Sequence, residues 1–296
     1  MQRVSLNPDL NLSRLVYGMW RLADDQDRSA GRTEAKIQAC LEQGITTFDQ
    51  ADIYGGYQAE TILGEALKAN PSLRPKMEII TKCDIVVPGG PFSRKGVKHY
   101  NTSREYIEAA VQRSLSKMST DYLDLLLLHR PDPLMDHHET GAALDDLVKS
   151  GTVRAIGVSN FRPWDCELLQ SAMSNRLVTN QIEISLVQLA PFTNGDIAFH
   201  QKNSQALMAW SPLGGGRILS DSGELGQTLD RIAGENGVDR AAVATAFLLH
   251  HPANIMPIMG TNTLERIASI SDALRVRMDR EDWFLLYTAA LGHRVP

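Results

Sequence analysis

The chain has 296 residues, 43 % of them hydrophobic and 22 % charged, which suffices for a large buried core under a polar surface. Thirty Lys and Arg against 35 Asp and Glu leave a net charge of −5, which gives no reason to expect nucleic acid or an anionic membrane as partner. Cys40, Cys83 and Cys166 form no C-x-x-C and no paired framework, so a reducing cytoplasm is the expected setting.

The first stretch, MQRVSLNPDLNLSRLVYGMW, lacks an apolar signal core, and no apolar run in the chain approaches the roughly 18 residues of a membrane helix. The part before Leu15 reads as a small hairpin. Short apolar runs follow at Leu15–Trp20, Thr46–Ala51, Met77–Lys82, Leu123–His129, Val153–Ser159, Val178–Glu183, Ala206–Trp210 and Ile255–Met259. Amphipathic stretches lie between them. RTEAKIQACLEQG predicts a helix closed by Gly44. NTSREYIEAAVQRSLSKM predicts another, with Thr102 and Glu105 in a capping box. LDLLLLH does not alternate polar with apolar, so both faces of its strand are buried, as in a parallel sheet. Eight strand–helix units predict a single (β/α)8 TIM barrel over residues 1–296, the hairpin closing its bottom. Two long connections, residues 83–101 and 211–226, follow strands and so belong to the C-terminal face, where barrel enzymes keep their sites.

What stands at those strand ends is chemical. In order come Trp20, Asp49, Lys82, His129, Asn160 after Ser159, Gln181, Trp210, and Gly260 with Thr261. An acid, a base and an imidazole on neighbouring strands converge on one rim. Tyr54 follows Asp49 by five residues, just before Gly55-Gly56. A phenol is a poor acid, with a reference pKa of about 10, but a lysine cation beside it lowers that value. Asp49 would pair with Lys82 and make its burial tolerable. His129 would orient a carbonyl oxygen, leaving Tyr54 to protonate it. No metal is called for: HExxH, a P-loop and a G-x-S-x-G elbow are all missing, and His137-His138 and His250-His251 read as surface residues at helix ends.

These residues resemble an aldo-keto reductase over nearly the full length. FDQADIYG is similar to the family's D-T-A-x-x-Y-G signature, with Gln50 in place of Thr. ITKC resembles its lysine strand, DLLLLHRPDP its histidine strand, and AIGVSNF one of its most specific short motifs. The following RPDPLMD looks like a bacterial YdhF-type branch. The resemblance implies a catalytic tetrad of Asp49, Tyr54, Lys82 and His129, and NADPH-dependent reduction of an aldehyde or ketone. It also implies where the cofactor lies, since no G-x-G-x-x-G is present. Ser159, Asn160 and Gln181 match positions that bond the nicotinamide carboxamide, and Trp210 matches a ring stacked on the nicotinamide, unless it simply packs the core. Gly18, Met19 and Trp20 belong to the same end, the last two at the substrate mouth or in the barrel top. Ser211, Leu213, Gly214 and Arg217 match the segment over the pyrophosphate. Gly260, Thr261, Asn262 and Arg266 match the adenosine-phosphate end, where a helix start and Arg266 favour NADP over NAD. Gly260 in place of a Lys, and Ser269-Ile270 in place of polar residues, depart from the family pattern.

Other readings sit beside these. Asp52 is a second acid or, preferably, a cap for the next helix. Cys83 is redox-sensitive or an inert buried thiol, and Cys40 packs in the core. His99-Tyr100 belong to a loop that sets the substrate. The expected partner is a small carbonyl compound, with no nucleic acid and no membrane, for a monomer or weak oligomer. A regulatory NADPH-binding subunit with negligible turnover is the alternative; a metal-dependent hydrolase lacks the ligand clusters it needs.

Overall fold

The computed structural model describes residues 1–296. An antiparallel hairpin comes first, β1 (Arg3–Asn7) with β2 (Leu10–Ser13). Then come β3 (Val16–Gly18), β4 (Thr47–Asp49) and β5 (Glu78–Cys83), a two-residue antiparallel pair, β6 (Ile85–Val86) with β7 (His99–Tyr100), and β8 (Leu125–Leu128), β9 (Ile156–Ser159), β10 (Leu177–Glu183), β11 (Ala206–Trp210) and β12 (Met256–Met259). Strands β3, β4, β5 and β8 to β12 form a closed parallel barrel in chain order, with β12 bonded back to β3. The helices are α1 (Ala30–Leu41), a turn α2 (Tyr54–Tyr57), α3 (Ala59–Ala69), α4 (Arg104–Met118), α5 (His137–Lys149), α6 (Pro163–Gln170), α7 (Asp196–Lys202), α8 (Glu224–Asn236), α9 (Arg240–Leu249), α10 (Leu264–Ala268) and α11 (Arg280–Leu291). No helix is long and apolar enough to cross a membrane.

All eight predicted strands enter the barrel, and the expected (β/α)8 architecture stands. Several are shorter than the apolar run that announced them. Leu15–Trp20 contracts to β3 because, past Gly18, the Met19 N–H turns to the Asp49 carbonyl (2.9 Å) and the chain enters a short turn at Leu22–Asp24. Strand β5 runs one residue past Lys82, to Cys83.

The predicted hairpin closes the N-terminal end. Val4, Leu10 and Leu12 join Val16, Ile80, Leu125, Leu127, Met208 and Met256 in one buried cluster inside the barrel. Each large aliphatic side chain so buried contributes about 1.5–3 kcal/mol. Ser13 Oγ accepts the N–H groups of Thr46 (3.2 Å) and Thr47 (3.1 Å), and Arg3 pairs with Glu78 (2.6 Å), which ties the hairpin to the starts of β4 and β5. Outside the barrel, Trp283 of α11 stacks on Phe247 of α9, ring centroids 4.6 Å apart, and its indole donates to the Phe247 carbonyl.

Two helix ends differ from expectation. The cap of α4 is Ser103, which accepts from the Tyr106 N–H, and no capping box forms at Thr102. Thr102 is drawn away by tertiary partners: its hydroxyl donates to Asp132 (3.1 Å) and its carbonyl accepts from Thr140 (2.8 Å). Helix α1 stops at Leu41, and Gly44, at φ +76°, turns the chain beyond Glu42 rather than capping the helix itself.

Candidate active site

Asp49 ends β4, and Lys82 stands one residue before the end of the neighbouring β5. Both are buried, with relative exposures of 2 % and 0 %. The Lys82 ammonium donates to both Asp49 oxygens (2.8 Å each), to the Gln50 carbonyl (2.8 Å) and to the Tyr54 hydroxyl (3.0 Å). Gln181 Nε2, from β10, donates to Asp49 Oδ1 at 2.8 Å. Burial pulls the Lys82 ammonium down, but the Asp49 carboxylate, with Tyr54 behind it, holds the net value above the ordinary lysine range. Lys82 therefore stays a cation in a place where burial alone would neutralise it.

The backbone after β4 lifts Tyr54 into place. Asp52 N–H donates to the Lys82 carbonyl (3.0 Å) and Tyr54 N–H to the Ala51 carbonyl (3.1 Å). Gly55 follows at φ +58°, and a Cβ there would lie 2.2 Å from Ala23 Cβ, so only glycine fits. Burial pushes the Tyr54 phenol above its ordinary value, and Lys82 offsets this only in part. This corrects the sequence expectation of a net lowering: the lysine acts in the expected direction, but desolvation is larger. The ring of His129 lies across that of Tyr54, centroids 6.0 Å apart at 75°. Burial, then Lys82, Arg130 and Lys98, hold the imidazole well below its ordinary pKa, so it is neutral. Its buried Nδ1 has no hydrogen-bond partner.

A second network borders the first. Ser159 hydroxyl donates to the Gln181 carbonyl (2.8 Å). Asn160, at φ +60°, donates to the His129 carbonyl (3.1 Å) and to Ser159 Oγ (2.9 Å), and its side-chain oxygen accepts from the Trp210 indole (3.0 Å). These bonds lock Trp210 over the barrel mouth rather than inside the core.

Both networks open onto one cavity of about 910 Å³. Of the predicted residues, Asp49, Tyr54, His129, Gly18, Trp20, Ser159, Asn160, Gln181, Trp210, Ser211, Leu213, Gly260, Thr261 and Arg266 line it. Lys82 lies behind them, fully buried. Four others do not face it. Met19 is buried beside Gln50, whose amide approaches its sulfur at 3.4 Å. Gly214 is buried, its carbonyl accepting from Arg217 Nε (3.1 Å), which turns that guanidinium to the loop. Asn262 is spent on neighbours: its amide nitrogen donates to the Arg21 carbonyl (2.6 Å), while its two oxygens accept from Lys36 (3.0 Å) and Arg32 (3.1 Å). Helix α10, which Asn262 precedes, has only five residues, so its dipole is weak and Arg266 supplies the positive charge at that end.

Arg21, Lys98, Tyr100, Arg130 and Arg240 also line the cavity, and of these only Tyr100 had been marked. Arg21 and Arg130 directly follow strand-end residues, which is a signal the sequence offered. Lys98 and Arg240 gave none, because the loop and helix that bring them in start elsewhere. Arg240 is already held by Asp230, with two contacts of 2.6 Å.

Asp52 is not a cap. Ile53 occupies the position before α2 and no side chain caps that turn. Asp52 is buried, accepts from the Tyr106 hydroxyl at 3.4 Å, and is pushed up to about 7 by burial and then by Glu60. The three cysteines are free and buried. Burial holds the Cys83 thiol well above its ordinary value, which favours the inert reading.

Residues 14–287 match the model of the aldo/keto reductase family, and the chain belongs to that family. It is 61 % identical over 296 residues, the whole of both chains, to a 6-dehydroglucose reductase of Agrobacterium fabrum. Over 300 residues, again the whole of both chains, it is 42 % identical to the oxidoreductase YdhF of Escherichia coli. A crystal structure of the thermostable aldo-keto reductase Tm1743 in complex with the inhibitor epalrestat superposes with a TM-score of 0.83 at 28 % identity, covering 98 % of this chain and 100 % of that one.

Proposed function

We propose that the protein is an NADPH-dependent reductase of a sugar aldehyde, with 6-dehydroglucose or a close analogue as substrate and a primary alcohol as product. The observation that carries this reading is the chain of contacts from Gln181 through Asp49 and Lys82 to the Tyr54 hydroxyl, ending in the cavity beside a neutral imidazole. When bound, the nicotinamide cofactor supplies the hydride that the carbonyl carbon receives. Tyr54 holds the proton that the carbonyl oxygen takes up. Lys82, 3.0 Å away, stabilises the phenolate left behind. Asp49 keeps Lys82 charged. Neutral His129 orients the oxygen by hydrogen bonding, and does so without competing as an acid.

The donor set fits a phosphorylated dinucleotide. One part of the cavity has the flat indole of Trp210 among Ser159, Asn160 and Gln181; elsewhere its wall carries the guanidiniums of Arg21 and Arg266. Arg266 beside Thr261 supports NADP over NAD. The substrate class rests on two things: the 61 % identity to a 6-dehydroglucose reductase, and a cavity wall of Trp20, Lys98, Tyr100 and Arg130, which pairs aromatic faces with hydrogen-bond donors suited to hydroxyls.

The test is a turnover assay of the purified chain with NADPH and 6-dehydroglucose, alongside aliphatic and aromatic aldehydes, following loss of NADPH absorbance and identifying the product. Preferential turnover of the sugar aldehyde is expected. Bound NADPH that is oxidised by no carbonyl compound, even in a single turnover, would instead place the protein among cofactor-binding regulatory subunits.

A further inference from the structure

Asp84, the residue after β5, combines an unusual backbone with complete burial. It sits at φ +99°, where a side chain is strained, and it is wholly buried. Its carboxylate accepts the Arg130 N–H at 3.0 Å, and its carbonyl accepts the Asn101 N–H at 2.8 Å. The preceding Cys83 carbonyl accepts the His129 N–H at 2.9 Å. Cys83 and Asp84 thus join three segments at one point: the end of β5 just past Lys82, the end of β8 with His129 and Arg130, and the end of the loop that bears Lys98 and Tyr100.

The need for such a joint lies in the imidazole. His129 Nδ1 is buried with no partner, so no side-chain hydrogen bond fixes the ring through that atom. Its position is inherited from the backbone. That backbone is pinned by the Cys83 carbonyl on the His129 N–H, by Asn160 on the His129 carbonyl (3.1 Å), and by Asp84 on the next N–H. The Asp84 contact is made by its side chain, while its backbone carbonyl separately tethers the loop facing the substrate through the Asn101 N–H.

We propose that Asp84 is a positioning residue for the reaction, acting through the Arg130 amide to hold the His129 imidazole across the Tyr54 ring. The contact to that amide is made from a strained backbone. Burial raises the Asp84 carboxyl well above its ordinary value, so a neutral side chain with an acceptor oxygen is a sound mimic. Asparagine offers that oxygen and tolerates positive φ better than most residues. Glycine removes the acceptor and relieves the strain.

The inference rests on the catalytic reading above, and the experiment separates the two. Asp84→Gly and Asp84→Asn are compared with wild type and Tyr54→Phe in the full-length protein, measuring thermal midpoint, NADPH affinity and kcat. Asp84→Gly is expected to fold, to bind NADPH as wild type does, and to lose about 10- to 100-fold in kcat, the size of effect a displaced catalytic group produces. Asp84→Asn is expected to stay within a few-fold of wild type, because its oxygen still accepts the Arg130 N–H. If Asp84→Gly is fully active while Tyr54→Phe is dead, only the inference fails. If Asp84→Asn is folded, binds NADPH and is as slow as the glycine variant, the acceptor role is wrong. A Tyr54→Phe protein with unchanged kcat overturns the catalytic reading itself.

Discussion

Replacing Asp49 by Asn tests the buried network at its most loaded point. Lys82 spends its donors on Asp49, the Gln50 carbonyl and the Tyr54 hydroxyl, and Gln181 adds another donor to Asp49. Asn keeps the shape but leaves one oxygen and no charge where both Lys82 and Gln181 point. An ammonium stranded without its partner in the interior costs about 3–5 kcal/mol. The alternative is for Lys82 to give up its proton. From an ordinary lysine pKa of about 10.4, that costs about 5 kcal/mol at pH 7 and about 3 kcal/mol at pH 8. The two costs are alike, and burial, the largest influence on Lys82, favours the neutral form. Tyr54 then loses the cation that draws its pKa down. It loses the opposing Asp49 charge as well, but Lys82 is the stronger of the two influences, so the phenol moves further up. The expected result is a kcat lowered by about 10²–10³-fold, nearly unchanged NADPH affinity, and an alkaline fall in the reduction rate displaced to higher pH than in wild type. The measurement is kcat against pH for both proteins, with NADPH binding followed by fluorescence. Overlaid profiles with equal kcat would reduce Asp49 to a packing partner of Lys82 and refute the reasoning.

Tyr54→Phe should cost about 10²–10⁴-fold in kcat and leave the NADPH dissociation constant unchanged; near-normal turnover would require another acid. Arg266→Ala should weaken NADPH far more than NADH, and the loss should shrink as salt rises, because the exposed part of a phosphate contact is screened; equal weakening of both cofactors would show that Arg266 does not read the phosphate. Burial, then the nearby Glu60, pushes the Asp52 carboxyl up to about 7 from its ordinary 3.8. Its contribution to stability is therefore complete below the lower value and lost as pH rises through the higher one. Asp52→Asn should accordingly raise the melting temperature more at pH 8 than at pH 5, by an amount corresponding to about 2–4 kcal/mol; a gain that is the same at both values would show that Asp52 is ionised in the fold.

The barrel was legible because its strands are buried on both faces. Runs such as Leu125–Leu128 carry no polar alternation, and eight of them at barrel spacing leave little choice of architecture. That Asp49, Tyr54, Lys82 and His129 come together was legible for a related reason: a polar residue at the end of such a run has one place to point. What escaped depends on contacts between segments far apart in the chain. Thr102 and Ser103 are both good caps, and the choice between them is made by Asp132 and Thr140. Asp52 has the composition of a cap, and only the packing of α4, through Tyr106, reveals it as a buried acid. Strands β6 and β7 are two residues each, too short for any periodicity, yet Tyr100 and the neighbouring Lys98 line the cavity. Nothing in the letters around Asp84 announces a left-handed backbone.

The hairpin of β1 and β2 gives the barrel a stopper. With Val4, Leu10 and Leu12 filling the N-terminal end, the barrel is a cup rather than a tube. The cavity belongs to the opposite end, running from exposed Trp20 to buried Gln181. A substitution in the hairpin therefore reaches the cavity only through the packing between them, whereas one at a strand end meets it directly.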